Sequence, residues 1–255
     1  MHLSRPSTTR LAFFAGVAAL GLAWTLNSSH AEDMPADRAG LDAYIRDYLM
    51  GNPQVLRDAL LKLEADEQTE NAKRVLRDLK EEIYHAGSPE IGNPDAKVII
   101  VEFYDYNCPY CRSAYPEIKA FIEANPDTKI VLKDIASLGK ESEAVARVVI
   151  AAAKQGKFAA LHDRLMTQKG QNTEARALDA AAKLGLDMER LKIDAQSSET
   201  GDALTRAQQL ADRLSVPATP LYIIGHQGIS GSPDDLVAQL SRHVDDVRKA
   251  GCDVC

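Results

Sequence analysis

The apolar positions of this chain follow two periods. Lys97-Val-Ile-Ile-Val-Glu-Phe-Tyr104 is a near-continuous apolar run rich in β-branched residues, the pattern of a strand buried on both faces. Lys129-Ile-Val-Leu-Lys133 and Leu221-Tyr-Ile-Ile224 repeat it on a smaller scale. Three stretches carry helical patterning instead: Ser113 to Asn125, closed by Pro126; an alanine-rich block from Glu141 to Leu214, punctuated by Gly156, Gly170, Gly185 and Gly201; and Pro233 to Lys249. The predicted order is strand, helix, strand, helical block, strand, helix. A block of about 70 residues is far longer than one crossover between strands, so it reads as an inserted helical subdomain in an α/β domain.

Upstream, apolar residues recur at helical spacing from Leu41 to Tyr84. Leu41, Ile45, Tyr48 and Leu49 form one stripe; Val55, Leu56, Ala59, Leu60 and Leu63 a second; Val75, Leu76, Leu79 and Ile83 a third. Pro53 separates the first two, because proline disfavours helix in the residue before it, and Gly87-Ser88-Pro89 ends the third. Glu70 and Arg74 are spaced to pair across one helical turn. The stripes are narrow and the remaining faces charged, so they must be buried somewhere. They pack either on their own domain or on further copies of the chain. Self-association is the preferred reading, because the domain that begins at residue 88 reads as complete without the arm.

The first residues read as an export signal. Arg5 and Arg10 precede the apolar run Leu11 to Trp24, whose length of about 14 falls short of the roughly 20 residues that span a bilayer. Ser29-His30-Ala31 supplies small residues at the positions a signal peptidase reads, placing cleavage after Ala31. An uncleaved anchor is the alternative, and either exports the remainder, to a periplasm where disulfides persist.

Composition narrows the classes. The chain has 255 residues, 45% hydrophobic and 26% charged, with formal net charge −7. That is an ordinary globular balance, without the basic footprint of a nucleic-acid binder. Its four cysteines fall as two close pairs, Cys108/Cys111 and Cys252/Cys255, a spacing that points to redox or metal chemistry.

Cys108 stands where the first strand gives way to a helix, with Pro109 suited to the first helical turn. Free N–H groups and the macrodipole at a helix start favour negative charge, so a Cys108 thiolate is stabilised there. Cys111, three residues on, can close a disulfide within one turn and resolve a mixed disulfide. A zinc site completed by Cys252 and Cys255 would need pairs much closer in sequence, and a purely structural disulfide would close only a tiny loop. Glu102 interrupts an apolar strand six residues before Cys108, and a carboxylate there is costly without a task or partner. It reads either as a buried proton acceptor with a raised pKa or as a group turned outward at a sheet edge. Pro220 lies immediately before a strand and is a candidate cis-proline. The tail pair Cys252/Cys255 reads as a local disulfide or a frayed end, with a second thiol relay or a soft-metal clip as alternatives.

Together, Phe103-Tyr-Asp-Tyr-Asn-Cys108-Pro-Tyr-Cys111, the helical insertion and Ala218-Thr219-Pro220 resemble the DsbA-like periplasmic thiol-disulfide oxidoreductases over about residues 88–250. The resemblance implies a thioredoxin fold, with Cys108 as nucleophile, Cys111 as resolving thiol and the two as a redox disulfide. It also implies that Pro220 is cis and faces the pair, that Thr219, Pro220, Pro109 and Tyr110 meet the substrate, and that Glu102 is the buried acid. The segment Tyr44-Ile-Arg-Asp-Tyr-Leu-Met-Gly-Asn-Pro-Gln-Val-Leu-Arg-Asp-Ala-Leu60 is similar to the N-terminal extension of the ScsC, or suppressor-of-copper-sensitivity, branch. There it makes trimers that act as disulfide isomerases on misoxidised exported proteins and are kept reduced by a membrane partner, ScsB. The dipeptide Pro109-Tyr110, where strong oxidases carry Pro-His, and Thr219, where they carry valine, favour isomerisation or reduction over oxidation. A DsbA-type dithiol oxidase, a Cu(I)-binding protein using Cys108 and Cys111 and a scaffold are the alternatives, and no cofactor is expected. The expected layout is a signal peptide at 1–31, a helical oligomerisation arm at 32–87, a DsbA-like thioredoxin domain at 88–250 with its insertion at about 140–214, and a cysteine-containing tail at 251–255.

Overall fold

The computed structural model describes residues 37–85, 87–252 and 254; the expected signal segment and Cys255 lie outside them. The chain divides into two compact units after Leu60. In the first, α1 (Arg38–Gly51) starts at Asp37, whose carboxylate accepts from the Gly40 N–H, and stops at Asn52 before Pro53, as proline requires. No residue of α1 is buried. Tyr48, Met50, Leu56 and Leu60 are all at least 42% exposed. Helix α2 (Pro53–Asp78) begins in this unit and runs unbroken through the charged stretch. Within it Glu70 pairs with Lys73 at 3.1 Å, one residue short of the expected Arg74, which donates to Asn71.

The second unit is built on a five-stranded sheet. After α3 (Lys80–Ile83) come β1 (Glu90–Gly92), β2 (Val98–Tyr104), α4 (Pro109–Ala124) and β3 (Thr128–Asp134). Five helices fill the expected insertion: α5 (Lys140–Ala153), α6 (Phe158–Thr167), α7 (Glu174–Lys183), α8 (Met188–Ala195) and α9 (Ser198–Arg213). Strands β4 (Leu221–Ile224) and β5 (Gln227–Ser230) and helix α10 (Leu236–Ala250) complete it. The sheet order is β1-β3-β2-β4-β5, with β2 and β3 parallel and every other pair antiparallel. This is a DsbA-like thioredoxin fold with an inserted helical subdomain and an N-terminal helical arm. The short strands β1 and β5 were not apparent from patterning, because three or four residues with glycines carry no readable period. Gly92, at φ +100°, ends β1 where a Cβ would stand 2.9 Å from Ile122 and 3.0 Å from the Thr128 carbonyl. Only glycine allows that backbone and that approach.

Strand β2 is central and buried on both faces. Ile100 and Tyr104 turn toward one core with α4 and α10, through Ala114, Ile118, Leu236, Leu240 and Val244. Val101 and Phe103 turn toward a second core with Val131, Ile223, Leu210 of α9 and the tail residue Val254. That second core also contains Leu76, Leu79 and Ile83. The expectation that the domain is complete without the arm's third stripe is therefore corrected. A strand apolar on both sides needs cover on both, and this stripe supplies part of the second layer.

Leu79→Ala should lower the unfolding free energy by about 2–4 kcal/mol, as large-to-small changes at buried sites do. Ile193→Ala, at a residue 72% exposed, should cost under about 0.5 kcal/mol. Urea unfolding monitored by circular dichroism compares the two.

Candidate active site

The site begins with the end of β2 and the start of α4. Cys108 is the N-cap of α4, with extended backbone (φ −68°, ψ 118°) and Pro109 in the first turn. Its Sγ accepts from the Cys111 N–H at 3.4 Å, occupying an N–H that the helix itself cannot satisfy. The loop before it is tied down by Asp105, which is fully buried. The Asp105 carboxylate accepts from the Asn107 N–H (2.7 Å), the Ser142 hydroxyl (2.8 Å) and the Leu138 N–H (2.9 Å). Asn172 of the insertion donates to the Tyr106 carbonyl, and its own N–H donates to the Asn107 side chain at 2.7 Å. The Tyr106 hydroxyl meets His162 Nδ1 at 2.9 Å and accepts from the Tyr104 hydroxyl at 3.1 Å. Burial holds that imidazole neutral, with its pKa pushed down to about 3.

The two thiols are free and chemically unlike. Cys108 is 4% exposed, a narrow window onto solvent. Its pKa is lowered from 9.0 to about 6, first by a hydrogen bond from Cys111, against burial, and then by the Thr219 side chain and the N–H groups of Cys111 and Tyr110. The Thr219 carbonyl also lies 3.3 Å from Cys108 Sγ; a carbonyl can only accept, so that contact serves the protonated thiol. Cys111 is fully buried, and its thiol is pushed well above the ordinary range, chiefly by burial. The result is a thiolate at the surface of the helix start and a thiol beneath it.

Glu102 does not lie at an edge. It is 2% exposed on the central strand, alternating with Ile100 and Tyr104 toward the face that carries Cys111. Its pKa is raised to about 8, chiefly by burial, with Tyr222 opposing the rise and Cys108 adding to it. Tyr222 is its cross-strand partner. The phenol favours the carboxylate without reaching full hydrogen-bond geometry, since its oxygen has no such partner among the described residues. Thr219–Pro220 is a cis peptide, Pro220 is buried, and Thr219 is half-buried beside Cys108. Tyr110 and Pro109 are exposed next to the sulfur. The fold thus brings Cys108, Cys111, Glu102, Thr219 and Pro220 together.

The tail is separate. Cys252 is disulfide-bonded and packs against the second core, and neither Cys108 nor Cys111 is its partner. A zinc site built from both pairs is thereby excluded, because a disulfide sulfur is no thiolate ligand. The expected Cys252–Cys255 pairing falls partly on Cys255, outside the described residues. No group of three or more His, Cys, Asp or Glu among the described residues is placed to hold a metal.

Patterning missed Asp105, Asn172 and Tyr222. The first two differ from ordinary loop polar residues only in what folding brings to them; Tyr222 differs only in what lies across the sheet.

Residues 85–246 match the thioredoxin family, and residues 37–70 match the copper resistance protein ScsC N-terminal domain. A thioredoxin-like oxidoreductase from Silicibacter pomeroyi DSS-3 is 34% identical, with TM-score 0.63 over 67% of this chain and 98% of its own. The catalytic domain of Proteus mirabilis ScsC is 29% identical, with TM-score 0.61 over 68% of this chain and 97% of its own. The Na(+)/H(+) antiporter NhaA 3 of Salinispora tropica is 27% identical over 135 residues, 52% of this chain. The chain spans 21% of the length of that curated relative. Among the described residues no helix is long and apolar enough to cross a membrane. The chain belongs to the thioredoxin family, in its DsbA-like, ScsC-type branch.

Alkylation of the reduced protein should accelerate roughly tenfold per pH unit up to about pH 6 and then level off, with Cys108 as the modified residue. Cys111 should remain unmodified; peptide mapping after iodoacetamide treatment reads both. Stability should carry the sign of each shift. The depressed Cys108 stabilises the reduced fold fully above 9.0, and that gain disappears as pH falls through about 6. The raised Glu102 acts oppositely: the folded state keeps a proton that the unfolded state releases, so stability falls as pH rises from 4.5 to about 8. Glu102→Gln should remove this second slope and leave the Cys108 slope unopposed, so that the urea midpoint at pH 8 rises relative to that at pH 5 when compared with the unsubstituted reduced protein.

Proposed function

We propose that this protein is a periplasmic thiol-disulfide oxidoreductase that works chiefly as a disulfide isomerase or reductase on misoxidised exported proteins. The observation that carries the reading is the contrast between the two sulfurs: Cys108 lowered to about 6 and Cys111 buried and raised. At neutral pH the Cys108 thiolate attacks a substrate disulfide. One substrate sulfur joins Cys108, the substrate S–S bond breaks, and the other sulfur leaves as a thiolate. Cys111 must lose its proton before it can attack Cys108, and Glu102, the carboxyl on its face, accepts it in the minor ionised fraction that a pKa of about 8 leaves at neutral pH. Because that proton is strongly held, the mixed disulfide lasts long enough for a substrate thiol to attack first. That outcome shuffles the substrate's disulfides and returns Cys108 unchanged. When Cys111 does attack, the substrate leaves reduced by two electrons and Cys108–Cys111 becomes a disulfide, which a membrane thiol reductant of the ScsB type reopens. Thr219 and Pro220, with exposed Pro109 and Tyr110, form the surface against which the substrate backbone rests.

The arm supports the same reading. Residues 37–60 expose Tyr44, Ile45, Tyr48, Leu56 and Leu60, and self-association, with a trimer favoured, would cover them. An assembly presents several thiolates to one substrate at high effective concentration, which suits repeated exchange. The segment 1–31 is read as a cleaved signal peptide.

Light scattering of the mature protein should give a trimer, and a chain beginning at residue 61 should be monomeric. Reactivation of a scrambled disulfide substrate should fall about tenfold in the shortened chain, some 1.4 kcal/mol in activation free energy, while simple dithiol oxidation persists. Cys108→Ser should abolish both activities. A protein that oxidises reduced substrate rapidly but fails to reactivate scrambled substrate would instead be a DsbA-type oxidase. Glu102→Gln should slow release of the mixed disulfide about tenfold without moving the Cys108 alkylation midpoint by more than about half a pH unit; quenched-flow trapping of the mixed disulfide measures it.

A further inference from the structure

The ladder between β1 and β3 ends at Val131. Beyond it the edge of β3 is bordered by a cavity of about 470 Å3, bounded also by α5, α9 and the loop between α3 and β1. Because the cavity wraps a strand edge, residues from both faces of β3 line it. Leu132, Val149, Phe158 and Leu210 give it apolar walls, and Lys133, Asp134 and Arg206 stand among its polar ones, with Glu82, His85, Lys154 and Glu199. None of Cys108, Cys111, Glu102, Thr219 and Pro220 belongs to the lining. Its volume falls within the range of small-molecule sites.

The polar groups are matched to something absent from the chain. Lys133 is 6% exposed, and its ammonium donates to the Glu82 carbonyl (3.0 Å) and the Ser88 hydroxyl (2.8 Å). Neither partner is charged, and an ammonium has a third hydrogen to give. Burial and nearby Arg206 lower its pKa to about 8, so it is still largely a cation at neutral pH. Arg206 makes no ion pair among the described residues. The carboxylates nearest by lining are engaged elsewhere: Glu82 holds Arg213 at 2.5 Å and Glu199 holds Lys154 at 2.6 Å. Asp134 is 7% exposed; its Oδ1 accepts from the Ala136 N–H, and its Oδ2 has no partner among the described residues. Burial and Asp105 raise this carboxyl well above the usual range, so Oδ2 carries a proton and needs an acceptor. A buried cation without a counter-ion and a buried donor without an acceptor are each costly. One anionic acceptor answers both.

We propose that this cavity binds a small organic carboxylate with an apolar body, its charge held by Lys133, Arg206 and the Asp134 carboxyl and its body by Leu132, Val149, Phe158 and Leu210. A phosphate ester would bring two charges and a large hydration shell into walls that are mostly hydrocarbon, whereas a carboxylate brings one. The site stands apart from the cysteine pair, so its occupancy is read independently of thiol exchange.

The test uses the mature protein, 1-naphthylacetate as probe and its neutral amide as control, by isothermal titration calorimetry. The acid should bind saturably, one per chain, and at least tenfold more tightly than the amide. Ala207→Trp, which fills the cavity from α9, should abolish binding with an unchanged circular dichroism spectrum. Lys133→Met should weaken binding at least tenfold. Arg206→Gln, on the exposed side of α9, should weaken it at least threefold and keeps the charge test independent of how well Lys133→Met folds. No saturable binding of the acid, equal affinity for acid and amide, or unchanged binding by a folded Ala207→Trp variant would each overturn the proposal.

Discussion

One contact governs the chemistry: the Cys108 sulfur capping α4 and accepting from the Cys111 N–H and thiol. A helix start has N–H groups without internal partners, and whatever sits there is chosen by its ability to accept. A serine or aspartate would satisfy the same need. A cysteine satisfies it best as a thiolate, so the requirement that ends one element and starts the next also sets the charge of the Cys108 sulfur. Cys111 is carried one turn inward by the same helix, into a core where charge is disfavoured. Two identical side chains thereby acquire opposite protonation states from a displacement of three residues.

That contact has value only if the loop preceding it is rigid, and the insertion provides the rigidity. Asp105 and Asn107 belong to the site loop, while Ser142 and Asn172 belong to the helical subdomain. Their hydrogen bonds join two parts of the chain that the thioredoxin topology alone would leave apart. The buried Tyr104–Tyr106–His162 chain adds a second tie to α6. In a medium of low polarity each such group must find its partner or lose several kcal/mol, so the network fixes one position of the insertion over the site. The helical block thus acts as a clamp on the loop that delivers Cys108.

The other face has a different economy. Val101, Phe103, Val131 and Ile223 would lose part of their cover if the domain began at β1, because Leu76, Leu79 and Ile83 cover them together with α9 and Val254. The end of α2 is thus structural, while the first unit, up to Leu60, keeps its apolar residues at the surface. One continuous helix carries a surface stripe at one end and core residues at the other. A periodic pattern reports that a stripe exists; what covers it depends on which surface lies within reach.

What the sequence determined by itself was whatever depends on neighbours along the chain. The apolar run at 97–104 specified a central strand, Asn52-Pro53 and Asn125-Pro126 specified breaks, and Cys108-Pro109 at a strand-to-helix junction specified a lowered thiol, because helix ends and strand periods are local properties. Glu102 was legible as an anomaly for the same reason: an acid in an apolar strand stands out without any structure. Tertiary structure decided everything that depends on residues distant in sequence meeting. It turned Glu102 inward beneath the cysteines and set Thr219 against Cys108 across 111 positions. It recruited Asp105 and Asn172 to hold the loop and divided the arm between surface and core. It also left Lys133 and Asp134, adjacent on one strand, lining a single cavity, because β1 begins at Glu90, opposite Val131, and the edge of β3 is uncovered past the Leu132–Pro89 hydrogen bond. Burial is a property of the assembled core, and no period along a chain specifies which far segment will supply it.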